Sequence, residues 1–153
     1  MEFLMSYGWA ILVVLVVIGA LAYFGVLSPQ KLLPDKCTLP PGMVCEDYSL
    51  STDGIQMVVS NGLGKTIFIT DMVVAEAASG AEVCASGTAT LPATAIPNGK
   101  RDTLGCGGVG SLAAYTGEKT KFNVKITYVF GTNPAAPGAL PHISEGEIFA
   151  TVS

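Results

Sequence analysis

Residues 3–27, FLMSYGWAILVVLVVIGALAYFGVL, carry no formal charge and no proline. As an α-helix at ~1.5 Å rise per residue, the run would span roughly 37 Å, enough to cross a hydrocarbon core of ~30 Å with some tilt. Apolar side chains occupy every face, so this is not a surface helix with one buried stripe. The β-branched residues Ile11, Val13, Val14, Val16, Val17 and Ile18 would weaken a helix in water. In lipid the backbone must satisfy itself within the segment, and that enforces the helix. Ser28-Pro29 is the expected stop, because proline disfavours helical geometry in the residue before it.

A secretory signal peptide would fit Ala20-Leu21-Ala22 as a small-x-small cleavage pattern. It would also need a basic leading region and an apolar core of about 7–15 residues, whereas Glu2 is acidic and the run is longer. Two readings compete with it: a permanent membrane anchor, or a helix that starts in the membrane and ends inside a multi-helix assembly. Glu2 bears on the choice. A buried carboxylate costs several kcal/mol unless paired, and the helix dipole returns only ~0.3–1 kcal/mol at an exposed N-terminus. In an anchor, Glu2 would sit at headgroup level. In a packed bundle, its natural partner is the α-amino group of a neighbouring copy, which would set axial register.

The aromatic residues fit both readings. Phe3, Tyr7 and Trp9 mark one end of the run, Tyr23 and Phe24 the other. In lipid they form interfacial belts; in an assembly they fill gaps between helices. Gly8 and Gly19 lie close to three full turns apart and share a face, where small residues let helices approach closely. In an exposed helix each would cost ~1 kcal/mol relative to Ala.

Glu2-Phe3-Leu4 and Tyr7-Gly8-Trp9-Ala10-Ile11-Leu12 are similar, residue by residue, to the N-terminal segment of archaeal type IV pilin-like proteins with a class III signal peptide. In that family a short basic leader ending in Gly is removed by a prepilin peptidase. The likeness covers residues 1–27, is loose beyond them, and is to the mature segment of the family. It implies a lollipop: a long N-terminal helix, then a globular head. It also implies a structural, non-enzymatic subunit of an extracellular adhesive filament, held in the cell membrane before assembly. Its partners would be copies of itself in a helical homopolymer, the pilus assembly machinery and the peptidase. The residues that would carry assembly are Glu2, Phe3, Leu4, Tyr7, Gly8, Trp9 and Gly19.

The rest of the chain suits a domain outside the membrane. The net charge is −4, and all eight Lys and Arg follow residue 28, with no basic stripe for nucleic acid. No segment from 29 to 153 is long and apolar enough to span again. The expected divisions are the helix at 1–28, a linker at 29–36 stiffened by two prolines, and a head at 37–153. The head reads as all-β. FNVKITYVF alternates, with Phe122, Val124, Ile126, Tyr128 and Phe130 on one face. GIQMVVS groups Ile55, Met57 and Val59, and GEIFATVS groups Ile148, Ala150 and Val152. KTIFITDMVVAE is apolar on both faces, as in an inner strand, or holds a bulge near Asp71. Asn61-Gly62-Leu63-Gly64 is a turn, 131–142 is a Pro/Gly-rich loop, and GSLAAYTGE is too short for a helix. The expected fold is an antiparallel, Ig-like β-sandwich after the apolar helix.

Four cysteines allow three connectivities. The expected pairs are Cys37–Cys45, closing CTLPPGMVC around Pro40-Pro41-Gly42, and Cys84–Cys106, bracing a longer loop. Each would contribute roughly 3 kcal/mol in the chain-entropy account, and both require an oxidising compartment. The spacing lacks the close pairs of a zinc site, and His142 is the single histidine. No cofactor is called for. GLGKT at 62–66 lacks the first glycine of a phosphate loop, where Val59 stands, and a strand pattern follows it. GCGGVG at 105–110 lacks a βαβ setting and reads as a loop. Glu145 and Glu147 share a strand face unless Gly146 makes a bulge, and read as a solvated edge rather than half of a carboxylate pair.

Overall fold

The computed structural model describes the backbone of residues 2–25, 33–107 and 110–153, and the side chains of 5–25, 33–107 and 112–153. The side chains of Glu2, Phe3 and Leu4, the Ser28-Pro29 stop and linker residues 29–32 lie outside the described residues, as do Val26, Leu27, Gly108 and Val109. The chain forms two compact units, residues 1–33 and 34–153.

The first unit holds α1, Glu2–Tyr23. It ends short of the expected residue 27, and a glycine ends it. The Phe24 N–H donates to the Ala20 carbonyl at 2.9 Å, the Gly25 N–H donates to the Ala22 carbonyl at 3.1 Å, and Gly25 takes φ 70°. A left-handed glycine past the last turn satisfies carbonyls that would otherwise be orphaned.

The second unit is an antiparallel β-sandwich. Its strands are β1 (Lys36–Thr38), β2 (Met43–Ser51), β3 (Gly54–Asn61), β4 (Ile67–Glu76), β5 (Glu82–Cys84), β6 (Arg101–Gly107), β7 (Lys119–Phe130) and β8 (His142–Thr151). One sheet runs β1-β8-β7-β4-β5, the other β2-β3-β6. The expected linker residues Asp35 and Lys36 lie in this unit: Lys36 opens β1, and Asp35 pairs with Lys119 at 3.0 Å. Alternation places the core. Ile55, Met57 and Val59 of β3 and Leu104 of β6 are buried, as are Phe122, Val124 and Ile126 of β7 and Ile148 and Ala150 of β8. Each Val- or Leu-sized side chain removed from water contributes roughly 1.5–3 kcal/mol.

β4 carries a bulge, not two apolar faces. The register against β7 steps from Ile69↔Tyr128 to Asp71↔Thr127, which leaves Thr70 as the extra residue. The buried set therefore switches parity, from Ile67 and Ile69 to Met72 and Val74. One inserted residue lets an apparently two-faced sequence point one face inward.

Three local expectations are corrected. Phe130 is 37% exposed at the end of β7, where Val129 is buried instead. Gly105 to Gly107 belong to β6 and are not a loop. A 3-10 helix, Gly110–Tyr115, lies within GSLAAYTGE. At Gly146 the strand is regular, the condition for Glu145 and Glu147 to share a face, since β7 and β8 stay in register past it. A side chain there would collide with the Thr38 carbonyl and with Leu39, so the bare glycine lets the chain leave β1 across β8.

The turn at Asn61 joins the two sheets and is not a hairpin, because β3 and β4 do not pair. Asn61 is fully buried and satisfied: its Nδ2 donates to the Lys65 and Ile96 carbonyls, each at 2.8 Å, and its Oδ1 accepts from the Leu63 N–H at 3.0 Å. A buried amide with every bond made fixes the crossing.

The disulfides join Cys37 to Cys45 and Cys84 to Cys106. Cys37 and Cys84 lie on the outer strands β1 and β5 of the larger sheet, Cys45 and Cys106 on the outer strands β2 and β6 of the smaller. Each bridge thus ties one sheet to the other along one side of the sandwich.

Candidate functional site

Two surfaces stand out, one in each unit. The first is α1 itself. No described side chain on it is buried: Trp9 is 71% exposed and Leu15 64%. The stretch Met5–Tyr23 is long and apolar enough to cross a membrane. Tyr7, Ala10, Ile11 and Val14 follow the i, i+3, i+4, i+7 spacing and, with Leu15, line a dimple of about 320 Å³. Four residues in that spacing form the hole into which a facing helix inserts a side chain. A side chain added at Gly8 or Gly19 would meet nothing within 4 Å, so no contact among the described residues requires glycine at either place. Of the residues expected to carry assembly, Tyr7, Gly8, Trp9 and Gly19 are on this surface.

The second surface is the outer face of the five-stranded sheet. Ala75, Asn123, Glu147 and Thr38 stand in one row across β4, β7, β8 and β1. Val73, Lys125 and Glu145 form the next row. These rows floor a groove of about 760 Å³, walled on one side by Leu39, Pro40 and Pro41. Glu145 and Glu147 do share a face but are not equivalent. Glu147 accepts from Lys121 and, at 3.1 Å, from Lys36, and these bonds hold its carboxyl below the usual carboxylate range. Glu145 makes no such bond among the described residues. Asn123 and Lys125 were not singled out from sequence. Their signal was present in the polar face of FNVKITYVF, but the pairing of Lys125 with Glu145 depends on the register across the loop at 131–141.

The other singled-out residues lie elsewhere in the head. Lys65-Thr66 of GLGKT leads into β4, so no helix N-terminus faces it. Cys106 of GCGGVG is held in its disulfide. His142 opens β8, stacked on Tyr128 with ring centroids 5.6 Å apart, and meets the Phe130 ring at 4.8 Å. The Lys65 ammonium lies 5.5 Å from the Phe130 ring centre.

The architecture defines the class: an apolar helix followed by a disulfide-braced β-sandwich. No protein-family model matches the chain, and no curated protein matches it in sequence.

Proposed function

We propose that this chain is the structural subunit of an extracellular type IV pilus-like filament, in which α1 is buried against the same helix of neighbouring copies. The observation that carries this reading is a helix of 22 residues that is apolar all round and none of whose described side chains is buried. The resemblance of residues 1–27 to archaeal pilin-like proteins supplies the kind of assembly. Gly8 and Gly19 support it too. In a lone helix each costs ~1 kcal/mol relative to Ala, while close helix packing gives both a purpose. Leaving lipid for a helical core exchanges one apolar setting for another, so extraction gains little and calls for an assembly machine. The repeating contact is heterologous and non-closing, as a filament requires.

The test is negative-stain microscopy of sheared cell-surface material with an antibody against the head. Labelled fibres are the expected result. Recovery of the chain in the membrane fraction alone would overturn the reading in favour of a single-pass anchored binding domain.

A further inference from the structure

The groove on the outer face of the larger sheet has the attributes of a ligand site, and its polar floor lies outside the buried core. At about 760 Å³ it falls within the ~300–1,000 Å³ range of small-molecule sites. Its polar groups are available. Lys125 and Glu145 are directly opposite on β7 and β8, yet form no ion pair with each other, and the Asn123 side chain makes no hydrogen bond among the described residues. Glu147 is different: Lys36 and Lys121 hold it from the side, which fixes one end of the floor.

The donor set selects the ligand chemistry. The Lys125 ammonium and the Asn123 amide N–H groups donate, while the Glu145 carboxylate and the Asn123 carbonyl accept. Donors and acceptors therefore alternate across the floor within two neighbouring rows. A single hydroxyl both donates and accepts, so two hydroxyls on adjacent carbons match this pattern and a bare anion or cation does not. Three ammonium groups face two carboxylates in and beside the groove, so no one sign of charge dominates to hold an ion. Beside the polar floor, Leu39, Pro40 and Pro41 offer an apolar wall, and Val73 and Ala75 add small apolar side chains to the lining. The C–H face of a pyranose fits such a wall while its hydroxyls reach the floor. An extended peptide fits less well, because the β7 backbone is already paired on both sides, to β4 and β8.

We propose that this groove binds a neutral saccharide, with Glu145, Lys125 and Asn123 reading vicinal hydroxyls and the wall of Leu39, Pro40 and Pro41 packing against the sugar ring. The site does not depend on the filament reading and would serve an anchored domain equally.

The experiment uses the full chain, solubilised in a detergent without a sugar headgroup and applied to an array of neutral mannosides, glucosides and galactosides, with acidic glycans and peptides as further arms. Selective retention on one neutral series is expected. Retention should fall at least tenfold in Glu145→Gln and in Lys125→Met, each of which keeps the side chain's length. Gln56→Ala, on the outer face of the other sheet, should bind as the unaltered chain does. Because the substituted side chains are exposed, an unchanged thermal midpoint is expected for each variant and is measured alongside. Retention of no neutral saccharide, preference for acidic glycans or for peptides, or binding indifferent to both groove substitutions would each overturn the proposal.

Discussion

The helix and the head solve opposite problems. The head buries its apolar residues within itself: Ile55, Val59, Ile67, Met72, Phe122 and Ile148 are inaccessible to solvent in a single copy. The helix is richer in apolar residues, yet a single copy buries none of its described side chains. Where the head must commit a residue to one side it alternates, and where one strand breaks alternation a bulge restores it. The helix commits to no side. A protein that pairs these two regions has one part complete in itself and one part completed by its surroundings. Substitutions in one region should therefore leave the other's behaviour untouched.

The largest expected effect is in the head. Phe122→Ala would remove a fully buried ring that meets Tyr115 edge-on at 5.6 Å, at a cost of ~3–5 kcal/mol in head stability by denaturant melts. Membrane insertion of α1 should not change, and a parallel loss of insertion would break the comparison. Next is the pair Cys84→Ala with Cys106→Ala. It unties one side of the sandwich and should cost roughly 3 kcal/mol, with reductant giving the unaltered chain a comparable or larger loss because both bridges open.

Gly8→Ala sharpens the contrast from the other side. Open space surrounds Gly8, so in a detergent-held single chain alanine should raise helicity, by ~1 kcal/mol in propensity. In assembled material the added methyl group should weaken helix packing and lower fibre yield. A gain in both would place Gly8 away from any helix contact.

The smallest effect is electrostatic. Burial raises the Asp71 carboxyl pKa, but bonds from the Ser86 hydroxyl, the Gly87 N–H at 3.0 Å and the Met72 N–H at 2.9 Å outweigh it and leave the group below its ordinary 3.8. A depressed carboxyl stabilises the fold above its unfolded value and loses that contribution as pH falls through the folded one. Asp71→Asn should therefore cost under about 1 kcal/mol near neutral pH, and the gap to the unaltered chain should close as pH drops below about 3.8.

Sequence reveals such regions unequally. The helix was legible because a long uncharged run has few other uses. β3, β7 and β8 were legible because period-2 alternation survives in them. β4 was ambiguous, since Thr70 shifts parity and only pairing with β7 tells a bulge from two apolar faces. Phe130 fits the alternation, but the strand outruns the core beneath it. The end of α1 was misplaced because Ser28-Pro29 is a louder signal than Gly25, yet the glycine acts first. The groove was the least visible feature. Its residues come from β1 and the segment just after it, β4, β7 and β8, and only strand register makes neighbours of Lys125 and Glu145. The role of Gly146 likewise needs the crossing at Thr38 and Leu39 to be seen.

The most direct test of what surrounds α1 is a photo-crosslinking side chain placed at Leu15, in the exposed middle of the helix, and activated in intact surface material. The filament account predicts a ladder of chain-to-chain adducts formed through this position. Adducts to lipid alone, with no chain joined to another, would contradict it.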